Sequence, residues 1–573
     1  MSTRADGPAA RLTRHFFGGF FDLGFLSETG TIPVTRLIIG VGATFIAFGL
    51  LLARIYMAKY AGFSEQSTPD AYRLALPADH ALLIAIPMWI VAFATTLVGH
   101  ALFPDETDFR VLGPLPITRR LIFGSKLLAL TLFVGLFVLF AQAALLPLFA
   151  RMTISPWAEG WFVRRTAAYA AATLFASAFA ALAMVAVQGL LLFGAARLRT
   201  LAAWATLRSA MLCGLMLSLP LLLRLPGQEG SFAAGAPWLA AAPPAWFTGL
   251  EWWLLGDERP HMRELAALAV LALTVAAAVA AASYAALYRR FDRLMMRPRE
   301  HAGAGRWRRG RRRSALRSFA RPVLAAVRAF TFVTLRRSEL HQGLFVVLSA
   351  VGAGLAINSL IGSGAPAWLA NGGPPSSRMT SALLWAPFAL VYVAARAARM
   401  ALLVPIEPRA NWVFRMTERG DSRADQLEAA ADAVRRLGVI VPVLLVLPLQ
   451  WHAWGWLALP AAAAALAAGW LYTELLMWDW SRVPFTCSYI PAKGFVPQAI
   501  VKGVLLFLAF TTAGAMLARA SMHGRPVALV TGLLMVAAIL ALRHWRRTTA
   551  RAAPLEFEDA LPSELNPLRL SPE

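Results

Sequence analysis

Twelve apolar runs, most near the length of a membrane-crossing helix, divide this sequence from end to end. An α-helix rises 1.5 Å per residue, so about 20 apolar residues cross the roughly 30 Å of bilayer hydrocarbon. The first six runs are Leu37–Ala53, Ala81–Leu102, Leu127–Ala150, Ala167–Ala195, Trp204–Leu223 and Leu265–Leu287. The second six are Leu344–Ile361, Ser381–Val404, Gly438–Trp454, Trp456–Met477, Gln498–Leu517 and Val527–Leu542. Charged residues make up 15% of the chain, against about 25% in soluble domains. With 58% hydrophobic residues and two cysteines, disordered, collagen-like and disulfide-scaffold classes are also excluded. The expected fold is all-α: a polytopic integral membrane protein of about twelve transmembrane helices in two six-helix halves.

Charge placement sets the orientation. The net charge is +24, and only Lys59, Lys126, Lys493 and Lys502 are lysines, so the basicity is carried by arginine. Sixteen arginines and three carboxylates lie between Arg289 and Gln342. Such a linker between two hydrophobic blocks stays in the cytoplasm and faces anionic lipid, so lipid and not nucleic acid is the expected partner there. Segments 103–126, 196–208, 288–343, 404–437 and 478–497 hold most of the arginine and fall on one side. Segments 57–80 and 224–264 fall on the other, which places both termini in the cytoplasm. The expected domains are an amphipathic arm (1–36), a first half (37–288), the linker (289–343), a second half (344–542) and a tail (543–573). Phe16, Phe17, Phe20 and Phe21 in the arm predict a short interfacial helix. No cleavable leader is expected, because those residues lack a compact apolar core before a small-residue cleavage site.

The loop after the second run carries the densest local pattern. Asp105, Glu106 and Asp108 precede Phe109, Leu112, Pro114 and Pro116, and then Arg119, Arg120 and Lys126. The prolines forbid a continuous helix and fix a bend, and Thr118 is placed to start the next helix. A rigid charged elbow is the expected result. The loop after the eighth run begins Val404-Pro405-Ile406-Glu407, 301 residues after Phe103-Pro104-Asp105-Glu106, which suggests two copies of one unit. Residues 421–436 predict an amphipathic cytoplasmic helix with Leu427, Ala430, Ala431 and Val434 on one face. Asp432 and Arg436 pair at i,i+4, and Gly438 stands where the helix turns into the membrane. Between the fifth and sixth runs, Trp238, Trp246, Phe247, Trp252 and Trp253 with Pro243-Pro244 predict helices at the outer interface.

Few ionisable groups lie deep in the runs. Arg396 and Arg399 snorkel or meet Glu407, and Glu474 and Lys502 sit near inner ends. The nine histidines are scattered without zinc-site spacing, no Gly-x-Ser-x-Gly element occurs, and Asp105, Glu106 and Asp108 read as a docking surface. No disulfide between Cys213 and Cys487 is expected, and Cys487 has no assigned role. No Gly-x-x-x-x-Gly-Lys-(Ser/Thr) phosphate loop is present.

Leu115-Pro116-Ile117-Thr118-Arg119-Arg120 with Lys126 resembles the segment between the second and third helices of permease subunits of type-2 ATP-binding-cassette (ABC) exporters. Pro243-Pro244-Ala245-Trp246-Phe247 is similar to the outer helical hairpin of that class. Pro405–Arg415 and Pro484–Tyr489 resemble second-half segments of large fused bacterial permeases. The resemblance spans most of the chain as topology and about 60 residues as pattern. It implies a permease of a bacterial inner-membrane exporter, with the elbow from Asp105 to Lys126 docking a separate ABC ATPase in two copies. It also implies a second docking element at Glu407, Arg409, Trp412 and Arg415, and an outer gate at Pro244, Trp246, Phe247, Trp252 and Trp253. ATP and Mg²⁺ would bind the partner, and this chain would hold no cofactor or metal and catalyse nothing. Residues 518–526 are too short for a matching hairpin in the second half. A proton-coupled secondary transporter, a membrane scaffold and a membrane-embedded lipid-modifying enzyme remain open on the residues alone.

Overall fold

The computed structural model describes residues 7–20, 34–102, 117–152, 157, 161–198, 201–289, 322–406, 411, 423–487, 496–524 and 526–552. The chain forms two compact units, Met1–Glu300 and His301–Glu573. The protein is an all-α polytopic membrane protein: among the described residues, ten helices are long and apolar enough to cross a bilayer.

The first unit contains α1 (Pro8–Gly19), α2 (Val34–Glu65), α3 (Pro69–Leu102), α4 (Arg119–Met152), α5 (Phe162–Leu198) and α6 (Leu201–Leu222). Two short helices follow, α7 (Glu229–Ala234) and α8 (Pro243–Leu254), before α9 (Pro260–Arg289). The spans are α2 to α6 and α9, matching the six apolar runs. Within the unit α3 packs against α4, α5, α6 and α8. Its buried face is rich in small side chains (Ala75, Ala78, Ala81 and Ala85), which let neighbouring backbones approach where hydrophobicity offers no drive between helices in lipid. The arm forms α1 as expected and lies along α4, where the buried Phe16 ring sits 5.0 Å from the Lys126 ammonium.

α8 does not lie on the surface as a plain interfacial anchor. Pro243 and Pro244 open it, their fixed φ and missing N–H suiting a helix start. It then runs against α3, α5 and α9 with Phe247 and Leu250 in the core. Gly249 makes the contact with α9 possible: a Cβ there would sit 2.4 Å from Leu265 Cβ and 2.8 Å from the Met262 carbonyl oxygen.

The second unit contains α10 (Pro322–Arg337), α11 (Glu339–Gly362), α12 (Ala365–Asn371), α13 (Ser377–Leu403) and α14 (Arg423–Arg435). After these come α15 (Val441–Trp454), α16 (Ala458–Leu476), α17 (Val496–Met522) and α18 (Pro526–Ala552). α11, α13, α17 and α18 complete the ten spans. The ninth and tenth expected runs fall on α15 and α16, of 14 and 19 residues, separated by a break at Gly455 with φ +57°. At 1.5 Å per residue α15 alone rises about 21 Å, short of the hydrocarbon thickness. Leu505, Met516, Leu529, Leu533 and Leu534 on α17 and α18 are each more than 60% exposed, a surface suited to acyl chains.

Two sequence expectations change here. Residues 322–337 of the expected linker are a helix of the second unit: α10 packs on α14, and Arg328 Nε lies 2.8 Å from Asp432 Oδ2. The Asp432–Arg436 pair forms at 2.9 Å, but α14 is buried nearly all round instead of on one face. Gly438 stands in the turn that joins α14 to the next helix. α14 continues through a π-helical turn, Arg436–Ile440, into α15. Gly438 is required by close packing, since a Cβ there would lie 2.4 Å from Ala395 Cα on α13. Backbone cannot yield as a flexible side chain can, so Gly438→Val is expected to cost about 3 kcal/mol through overpacking. Thermal unfolding of the detergent-solubilised chain checks this, and an unchanged midpoint would remove the close approach.

Candidate functional site

The two predicted docking segments are only partly visible. Asp105, Glu106, Asp108, Phe109, Leu112, Pro114 and Pro116 lie outside the described residues, as do Glu407, Arg409, Trp412 and Arg415. Thr118 starts α4 as expected, its carbonyl accepting from Leu121 N at 2.9 Å. Arg120 is exposed in the first turn. Lys126 is buried under Phe16 and is not presented to a partner: α1 covers that turn of α4. Of the predicted gate, Pro244 and Phe247 are buried, Trp246 and Trp252 are half-buried, and Trp253 is exposed.

Beneath α8 the first unit holds a buried polar cluster. Asp79, fully buried on α3, accepts from Lys59 Nζ at 2.9 and 3.1 Å and from Tyr60 OH at 2.7 Å. Lys59 also reaches Glu229 at 3.1 Å. The next residue on α3, His80, places Nδ1 2.9 Å from Oε1 of Glu251 on α8, both side chains being at most 3% exposed. Neither side chain completes an aligned hydrogen bond, so the contact is one of proximity. The His80 ring sits 4.7 Å from Phe149 of α4, which stacks on Tyr169 of α5 at 4.0 Å. Four elements (α3, α4, α5 and α8) thus meet around one imidazole. The loop after α8 is tied down as well. Arg259 donates through Nε and its backbone N–H to Asp257, while its guanidinium lies over Trp252. Partial burial would raise the Asp257 pKa, but these bonds hold it below the usual carboxylate range.

The second unit holds a denser cluster where α14, α16 and α18 meet. Arg435 Nη2 donates to Glu428 Oε1, about two turns away on the same helical face, at 2.8 Å, and Arg543 Nη2 donates to the same oxygen. Arg546 Nη2 donates to Glu428 Oε2 at 2.8 Å. Arg435 and Arg546 also lie 3.2 and 3.1 Å from the two oxygens of Glu474. Burial alone would raise the Glu428 pKa, but the charges of Arg435 and Arg546 overcome it and hold the carboxyl at about 2. Among the described residues, which do not include Glu407, Arg396 Nε donates to Tyr472 OH at 3.1 Å, and Arg399 pairs with Asp479 at 2.8 Å.

The two second-half segments singled out in the sequence come together. Phe485 N donates to Leu402 O at 2.9 Å, Ile406 N to Phe485 O at 3.2 Å, and Asn411 Nδ2 to Thr486 O at 2.7 Å. His341 bridges this knot, its Nε2 2.9 Å from Val404 O and its ring 5.0 Å from that of Phe485. Cys487 is buried beside it, and Cys213 and Cys487 form no disulfide.

Sequence reading missed Asp79, His80, Glu428, Arg435, Arg543 and Arg546. One signal was available, since Glu428 and Arg435 stand seven residues apart on a predicted helix and so share a face. The other partners come from distant helices and carry no local mark. No protein-family model, curated protein or solved structure matches the chain.

Proposed function

We propose that the chain is the permease subunit of an ATP-driven exporter, forming the pathway and docking a separate ATPase that binds ATP and Mg²⁺. The observation that carries this reading is the reach of α4. It begins at Arg119, at the end of the predicted elbow, and runs as one 34-residue helix to Met152. Arg119 and Phe149 are about 45 Å apart along its axis. Phe149 packs on His80, which also meets Glu251 of the outer helix α8. A displacement imposed on the elbow is therefore delivered by a single rod to the contact that holds α8 down. Alternating access then amounts to differential binding of nucleotide-bound and nucleotide-free ATPase to two positions of α4.

The test is purification of the tagged full chain in mild detergent with identification of stoichiometric partners. A co-purifying ATPase with a phosphate-loop motif is expected. Charge reversal at Asp105, Glu106 and Arg119 together is expected to lower its recovery at least tenfold while membrane insertion is unchanged. Recovery equal to wild type would overturn the elbow assignment. A second reading, proton-coupled secondary transport, is favoured by the buried Asp79, His80 and Glu251. Transport that survives ATP depletion but collapses with the proton gradient would select it.

A further inference from the structure

The charge count of the α14–α16–α18 cluster does not close. Among the described residues, Arg435, Arg543 and Arg546 face Glu428 and Glu474, a net +1, with Arg435, Arg546 and both carboxylates less than a tenth exposed. Hydrogen bonding in the cluster is incomplete as well. Three guanidiniums offer about fifteen N–H donors, whereas two carboxylates accept at about eight lone-pair sites. Among the described residues, Arg435 Nε, Arg543 Nε and Arg546 Nη1 are buried without a hydrogen bond, as are both Glu474 oxygens and Trp470 Nε1, whose ring lies under the Arg435 guanidinium at 5.7 Å; pairing the Glu474 oxygens still leaves donors in excess. An uncompensated buried cation costs several kcal/mol, and idle donors beside it add to that. An anion accepting from these groups removes both penalties.

We infer that this cluster is a binding site for a phosphate-type anion, supplied by the headgroup of an anionic lipid. Two observations point to the lipid source. Arg543 is 29% exposed, so the cluster opens to the outside along α18. Next to it, Trp545 of α18 stacks on Trp478 at 3.9 Å, both rings over 40% exposed, and exposed tryptophans favour headgroup depth. A guanidinium presents two parallel N–H groups to phosphate oxygens, a match that ammonium lacks. This site shares no residue with the arginine-rich segment 290–321 and holds lipid by buried donors instead of diffuse charge. It does not depend on the exporter reading.

The experiment uses the full chain in mild detergent, titrated with phosphatidylglycerol, with phosphatidylcholine or with inorganic phosphate. Thermal stability is read first, and a photoreactive phosphatidylglycerol is then mapped by peptide mass spectrometry. Phosphatidylglycerol is expected to raise the unfolding midpoint by several degrees where phosphatidylcholine does not, and to label peptides spanning 470–480 and 540–549. Arg543→Gln leaves two arginines for two carboxylates, a neutral cluster that still folds, and is expected to lose the midpoint shift and that labelling at least tenfold. Arg543→Lys, which keeps the charge, is expected to retain part of both. Stabilisation by inorganic phosphate alone, lost in the same variant, would keep the anion site and assign it to a free ligand. An Arg543→Gln chain that responds like wild type, or label confined to 290–321, would overturn the proposal.

Discussion

Glu428→Ala is expected to unfold the second unit's helix junction, at a cost of about 3–5 kcal/mol, because it leaves buried arginines facing the single carboxylate of Glu474. The contrast with Arg543→Gln is the diagnostic part. Losing Glu428 strands three donors at once, whereas losing Arg543 removes only a partner that Glu428 shares with Arg435. Gel-filtration recovery of the detergent-solubilised chain after a heating series reads both, and a Glu428→Ala loss below about 1 kcal/mol would show that the junction does not depend on the network. The same residue sets a pH dependence. Its folded pKa of about 2 lies below the ordinary 4.5, so its contribution is complete above pH 4.5 and is lost as pH falls through 2. Unfolding midpoints are therefore expected to fall between pH 4.5 and 2 in wild type, and less steeply in Glu428→Gln.

Glu251→Ala is expected to release α8 from α3. It removes a fully buried carboxylate and leaves His80 without its partner, in a core site where both absences count. A loss of about 3 kcal/mol is expected, with faster hydrogen exchange confined to residues 243–254. Replacing both members by apolar groups, as in His80→Phe with Glu251→Leu, is expected to recover most of that stability, since it removes both desolvation costs. If the exporter reading is right, this double variant stays folded but transports poorly, because the contact between α4 and α8 through His80 has become permanent grease. A single variant as stable as wild type, with unchanged exchange over 243–254, would show that Gly249 and Phe247 alone secure the helix.

The spans were legible because a membrane helix is marked by its length of apolar sequence, which needs no partner to be recognised. The start of α8 at Pro243 and the i,i+4 pair on α14 were legible for the same reason: each is a local rule. The close packing at Gly438 was not legible, because a glycine at a helix turn and a glycine at a tight crossing look alike in sequence. Only the position of Ala395 on α13 separates them. The buried charges were hidden more thoroughly. Asp79 and His80 fell in the connecting segment 57–80, and Arg543 and Arg546 in the tail 543–573. Their meaning lies in Glu251 and Glu428, on elements that the chain reaches far from them in sequence. Lys126 shows the converse, a residue that fits a motif yet is covered by α1.

The Glu428 junction also has an order of birth. Arg435 emerges seven residues after Glu428, but Arg546 follows only after 118. Until α18 is made and inserted, Glu428 and Glu474 share one arginine, and the half-built unit carries an excess negative charge where the finished one carries a positive. Attractive closure thus waits for the final span. A ribosome that stalls between α16 and α18 leaves a unit whose junction lacks two of its three arginines, so its polar core stays under-neutralised until the last span is in place.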